Sequence, residues 1–133
     1  MSDLVRFGVS LDEELLIRFD KNIKNKKYTN RSEAIRDLIR EDLIKRDWLT
    51  NEDVVGVITL VYNHHKRELV NHLMDIQHDY HDNILSSQHL HLDEDNCLEI
   101  LAIKGKAKQI RELYGNLKAS KGVKYAGCTE TTT

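Results

Sequence analysis

His89-Leu90-His91-Leu92-Asp93-Glu94-Asp95-Asn96-Cys97-Leu98-Glu99-Ile100 reads as two strands joined by an acidic turn, and its register decides what the rest of the chain has to be. Alternate residues of a strand face the same way, so His89 and His91 lie roughly 7 Å apart on one side. A three-residue turn at Asp93-Glu94-Asp95 pairs His91 with Cys97 and His89 with Glu99. Leu90, Leu92, Leu98 and Ile100 then point the other way, into an expected core. Two imidazoles and a thiolate on one face make most of a transition-metal shell, with the Glu99 carboxylate behind them, and zinc, nickel and copper all accept imidazole and thiolate. All seven histidines fall between His64 and His91, and His78 and His81, one helical turn apart, are candidates for a fourth ligand. An isolated H-x-H is more often a polar strand face beside a buried free cysteine. The placed Cys97 and the histidine-rich stretch before it reverse that balance.

Outward from the hairpin, the apolar periodicity gives strand 54–62, helix 65–82, strand 86–92, strand 96–103, helix 106–120 and strand 122–128. That βαββαβ order predicts a ferredoxin-like sheet with both helices on one face. The first strand is apolar on both sides, with Val55, Val57 and Val61 on one and Val54, Ile58 and Leu60 on the other. Its second face needs a cover, most simply another subunit.

Upstream the grammar changes. Val5, Phe7, Val9 and Leu11 alternate with Arg6, Gly8 and Ser10 in a short one-sided strand. Ser10 with Glu13 reads as a capping box opening a helix striped by Leu15, Leu16, Phe19 and Ile23, which breaks at Lys26-Lys27-Tyr28. Asn30 with Glu33 opens a second helix, whose buried face is expected to be Ala34, Ile35, Leu38, Ile39 and Leu43. Strand, helix, helix leaves two unpaired strand edges and an uncovered apolar face, so this half needs a copy of itself. Arg46 to Asp53 loses periodicity and reads as a linker, which sets the expected domains at 1–48 and 53–133 in an α+β chain.

Composition narrows the function. At 133 residues and 40% hydrophobic content, the chain has room for one ordinary domain or two small ones. Val54 to Tyr62 is too short to cross a bilayer and MSDLVRF has no apolar signal core, so the expected location is cytoplasmic with no membrane partner. Cys97 and Cys128 make no disulfide framework, and Cys128, in a tail expected to fray, receives no role. The net charge of −2 argues against indiscriminate coating of nucleic acid. Residues 1–48 nevertheless carry 11 Lys and Arg against 10 Asp and Glu, leaving 9 against 12 beyond, so a local basic face remains open.

The run Asn30-Arg31-Ser32-Glu33-Ala34-Ile35-Arg36-Asp37, together with Gln77-His78 and the H-x-H-x5-C hairpin ending Leu98-Glu99, resembles the nickel-responsive transcriptional regulator family, NikR. The resemblance covers about Val5 to Gly122. It implies a ribbon-helix-helix DNA-binding domain followed by a ferredoxin-like (ACT-type) metal domain, assembled as a homotetramer, a dimer of dimers. It also implies one Ni(II) per subunit, held by His89, His91 and Cys97 of one chain and His78 of a neighbour. For DNA it implies a two-stranded ribbon in the major groove of a double-stranded, palindromic operator. The base-reading residues would be Arg6 and Ser10, with Arg31 at a helix N-terminus near a phosphate and Lys66 and Arg67 on phosphates when nickel is bound. Gly8 stands where the family has a hydroxyl residue and reads nothing. Glu33 and Asp37 match a secondary site for a harder cation, and His64 an alternative metal arrangement.

The expected function is a nickel-dependent DNA-binding repressor of nickel-uptake genes. The alternative is an intracellular metal storage or delivery protein whose N-terminal half only oligomerises. An enzyme is not expected, because four protein ligands leave no open position and no nucleophile–base pair stands nearby.

Overall fold

The computed structural model describes residues 3–133. Tertiary contacts divide it into two units, one up to Glu41 and one from Asp42 onward, with the boundary inside a helix.

In the first unit, residues 3–12 form neither helix nor strand. The alternating segment therefore has no ladder within one chain, and Val5 and Phe7 are 84% and 69% exposed. Helix α1 spans Glu13–Asn25. Its N-cap is Asp12, whose side chain accepts from Leu15 N at 2.8 Å, and not the expected Ser10. The short carboxylate three residues before that N–H fits the capping geometry. The helix stops where Lys27 takes a left-handed φ of 65°, at the expected break. Helix α2 spans Arg31–Leu49, and Asn30 Oδ1 caps it as predicted, accepting from Glu33 N at 2.9 Å. Of the two predicted apolar stripes only Ile23 and Ala34 are buried, while Leu15, Leu38 and Ile39 remain exposed.

The expected linker is corrected in part, because α2 runs through Arg46 and Trp48 to Leu49. The reason is hydrophobic anchoring: Ile44 and Trp48, four residues apart on one helix face, both join the core of the second unit. Loss of helical periodicity in the sequence reflects a change of packing partner.

The second unit contains β1 Asp53–Asn63, α3 Arg67–Asp79, a 3-10 turn His81–Asn83, β2 Ile84–His91, β3 Asn96–Lys106, α4 Ala107–Ala119 and β4 Val123–Thr131. The sheet order is β2-β3-β1-β4 with every pair antiparallel, the ferredoxin-like arrangement that the element order predicts. Val54, Ile58 and Leu60 of β1 and Leu101 and Ile103 of β3 form one cluster with Leu69 and Leu73 of α3 and Ile110, Leu113 and Leu117 of α4. Each fully buried leucine contributes on the order of 1.5–3 kcal/mol. β4 continues to Thr131, so the tail is not frayed, and Cys128 sits half-buried opposite Ile58. Burial, with Glu130 adding to it, pushes the Cys128 thiol up to about 11.

One expectation fails at the hairpin. Leu90 and Leu92 are 40% and 54% exposed, while Cys97 and Glu99 are buried. Period-two spacing sorts residues into two faces correctly but does not say which face the helices cover. Here they cover the side of Cys97, Glu99, Leu101 and Ile103, and the leucine side, with the half-buried Val55, Val57 and Val61, is left open.

Candidate functional site

The hairpin has the register the sequence predicts, with His91 opposite Cys97 and His89 opposite Glu99. Its turn is fixed by Asp93, whose Oδ1 accepts from the backbone N–H groups of Asp95 at 2.9 Å and Asn96 at 2.7 Å. The Asn96 side-chain amide, then these backbone amides, hold the Asp93 carboxyl at about 2. The Lys124 ammonium donates to Asn96 Oδ1 and ties the turn to β4.

Cys97 Sγ lies 4.0 Å from His89 Nδ1, and His89 Nε2 lies 3.0 Å from Glu99 Oε2. Glu99 is a buried carboxylate, 1% exposed, and accepts two further hydrogen bonds, from Tyr62 OH and Gln77 Nε2, each at 3.0 Å. Burial first, then the Glu99 charge and hydrogen bond, push the Tyr62 hydroxyl's pKa upward. With Nε2–H donating to Glu99, the His89 Nδ1 lone pair faces the thiol, which is how a ligating imidazole is commonly oriented and made more basic. A soft sulfur and an imidazole nitrogen on one face, backed by a carboxylate, are donors that fit a late first-row divalent ion.

The other predicted ligands are placed as follows. His91 stacks on His64, with ring centroids 4.6 Å apart and planes 11° from parallel, and His64 Nε2 is buried without a hydrogen-bond partner. His65 Nε2 bonds the Glu94 carbonyl at 2.8 Å. His78 is exposed on the last turn of α3, its ring 5.9 Å from that of His81. Among the described residues of a single chain, no group of three or more His, Cys, Asp or Glu is set to hold a metal. The structure thus brings His89 and Cys97 together and leaves His78 on a separate helix end.

The predicted DNA residues also differ in setting. Arg6 and Ser10 lie on the exposed segment before α1. Arg31 is engaged by Asp20, its Nε and Nη2 donating to the two carboxylate oxygens at 2.9 and 2.8 Å. Lys66 and Arg67 stand at the start of α3, which has no side-chain cap, and with His72 and Lys121 line an open depression. Glu33 and Asp37 are both occupied: Thr29 Oγ1 donates to Glu33 at 2.8 Å and Tyr28 OH to Asp37 at 2.6 Å, with Arg40 3.3 Å from Asp37.

Sequence reasoning missed the Tyr62 and Gln77 contacts on Glu99. Tyr62 lies opposite Cys97 on neighbouring strands β1 and β3, so the strand order 2-3-1-4 was the signal that could have found it.

A ribbon-helix-helix sequence pattern ahead of a ferredoxin-like sheet with a His–Cys hairpin defines a two-part class in which a DNA-binding module precedes a metal-binding one. Comparison with known proteins agrees in both halves. The family described as NikR C terminal nickel binding domain matches residues 55–131, and the family described as ribbon-helix-helix protein, copG family, matches residues 5–46. A provisionally named nickel-responsive regulator of Syntrophus aciditrophicus is 59% identical over 125 residues, covering 94% of this chain and 91% of its own. One of Pyrococcus abyssi is 51% identical over 132 residues, covering 98% and 96%. An uncharacterized protein of Thermotoga maritima, 19% identical with a TM-score of 0.55, covers 59% of this chain and 98% of its own, and shares the fold alone. The chain belongs to the nickel-responsive regulator family, NikR, a family of transcription regulators rather than of enzymes. No described helix is long and apolar enough to cross a membrane.

Proposed function

We propose that this protein is a nickel-dependent, sequence-specific DNA-binding regulator that represses nickel-uptake genes when Ni(II) is bound. The observation that carries the reading is the 4.0 Å approach of His89 Nδ1 to Cys97 Sγ with Glu99 on the far nitrogen, inside a domain matched as nickel-binding. In this reading His89, His91 and Cys97 of one chain and His78 of a neighbour hold one Ni(II) per subunit of a cytoplasmic homotetramer. The bound ion would supply a cross-link between subunits, its binding energy being lost whenever that interface opens.

The chain's own residues do the rest. Glu99 fixes the His89 tautomer, and Tyr62 and Gln77 hold Glu99. Gln77 precedes His78 on α3, so the same helix end that steadies its own chain's Glu99 presents His78 outward. In this reading the expected half 1–48 binds DNA and dimerises and the half 53–133 holds the metal, with the end of α2 from Asp42 packing with the second of them. Arg6 and Ser10 read bases of a palindromic duplex, while Lys66 and Arg67 contact phosphates. Arg31 is the weaker phosphate contact, because Asp20 already satisfies its guanidinium. A secondary cation at Glu33 and Asp37, or one reached by His64, ranks behind the main site, since a cation at the carboxylates would displace the Tyr28 and Thr29 hydroxyls.

The test is a titration of Ni(II) into metal-free protein, following absorbance and binding to the DNA upstream of its own gene. A thiolate-to-metal charge-transfer band saturating at one ion per subunit, with operator binding that rises alongside it, is expected. Cys97→Ala should remove the band and weaken nickel binding sharply. Nickel binding with no metal-dependent DNA binding would instead favour storage or delivery.

A further inference from the structure

The segment after the second helix, expected to be a loose linker, is fastened at five points within the second unit. Trp48 is 4% exposed, and its Nε1 donates to the Thr131 carbonyl of β4 at 3.0 Å. The Arg111 guanidinium of α4 donates to the Trp48 carbonyl, taking one of the acceptors that a helix C-terminus leaves unpaired. Asn51, held in the left-handed region at φ 60°, accepts the Lys108 N–H with its Oδ1 at 2.9 Å and so caps α4 from outside that helix. The Glu52 carbonyl accepts the Ala107 N–H at 3.0 Å. The fifth point is steric. A Cβ on Gly56 of β1 would come within 3.2 Å of the Trp48 ring and 2.7 Å of the Thr129 carbonyl, so the indole seats where β1 carries no side chain.

We propose that Trp48 and the residues around it, 44–52, are a clamp that locks the C-terminal end of α2 and the connector after it onto the sheet and α4 of the second unit. Burying the largest side chain in the protein against a glycine makes an anchor that a Gly- or Ser-rich linker would lack. Asn51 and Glu52 add to it by satisfying two of the four first-turn N–H groups of α4, so releasing the connector would also uncap that helix. The proposal stands apart from nickel and DNA and does not depend on either.

The test is amide hydrogen exchange on the full-length protein, with the emission of Trp48, the only tryptophan, as an independent probe. In the wild type, amides of 44–52 should exchange as slowly as those of α4 and more slowly than those of residues 36–41, and the indole should emit to the blue of free tryptophan and resist acrylamide quenching. Trp48→Phe keeps a ring over Gly56 but loses the bond to Thr131, and should speed exchange in 44–52 severalfold. Trp48→Ala should speed it by about tenfold or more, with the central amides of β3 unchanged. Water-like emission from the folded wild type, or exchange of 44–52 as fast as that of residues 3–12, would overturn the clamp. So would a Trp48→Phe protein whose 44–52 amides exchange as in the wild type. Should Trp48→Ala not fold, the wild-type and Trp48→Phe measurements decide the matter.

Discussion

From Asp42 onward the chain encloses Leu60, Leu73, Leu101, Ile103, Ile110, Leu113 and Leu117 by itself, whereas among the described residues up to Glu41 only Ile23 and Ala34 are buried and Phe7, Val9, Leu15 and Ile17 are exposed. Both regions have clear apolar patterning. They differ in whether the partner surface is encoded in the same chain. α3 and α4 supply a cover for one face of the sheet, but among the described residues no segment of the same chain pairs with residues 5–11. The helix-covered core of the second unit is therefore closed within one chain, whereas the apolar faces of the first would find cover only in the proposed assembly.

The largest effect should come from breaking the self-sufficient core. Leu101→Ala removes a side chain with no solvent exposure, and should cost about 2–5 kcal/mol. The denaturation midpoint of the second unit should fall accordingly, and a variant as stable as the wild type would contradict the comparison. Phe7→Ala should behave differently. The loss should be large at low protein concentration and fade as concentration rises, read by light scattering and by DNA affinity, because Phe7 gains cover only from a partner.

DNA binding should divide along the same line. Arg6→Ala, in the first unit, should bring specific and nonspecific affinities together, a loss of about 1–3 kcal/mol of discrimination. Lys66→Ala with Arg67→Ala, in the second, should weaken all sequences alike and flatten the salt dependence. That second loss should appear only with nickel present, and equal losses with and without metal would remove the second unit from the switch.

The smallest effect concerns the Arg31–Asp20 pair of the first unit. The Arg31 hydrogen bonds, outweighing a slight desolvation, hold the Asp20 carboxyl below its ordinary value. A carboxylate whose folded pKa is lowered stabilises fully above its unfolded value, about 4, and loses that contribution as pH falls through the folded value. The thermal midpoints of wild type and Asp20→Asn should differ slightly at neutral pH and converge in acid. Because the pair is exposed, added salt should shrink the difference as well.

The hairpin register was legible because three signals coincided: two-residue alternation, an acidic turn, and donors on matching positions. The covered face was not legible there, since Leu90 and Cys97 carry equally good core patterns and only the packing of α3 and α4 chooses between them. The Tyr62–Glu99 contact joins residues 37 apart on adjacent strands, which needs the strand order before it can be seen. Trp48 was misread with its neighbours as a linker for a related reason: its partners Gly56, Arg111 and Thr131 are strung along the whole second unit. The assignment of nickel over zinc or copper was never in the donor set and came from resemblance.

The buried Glu99 carboxylate has a consequence for timing. With Tyr62, Gln77 and His89 on it, Glu99 sets the His89 ring beside Cys97 Sγ by contacts made within one chain. Many small metal domains are unstructured until loaded, so capture and folding are one event. Here the imidazole is held by the sheet's own contacts, so in the proposed nickel site its orientation would come from folding, and the ion would have only to bring in the remaining donors.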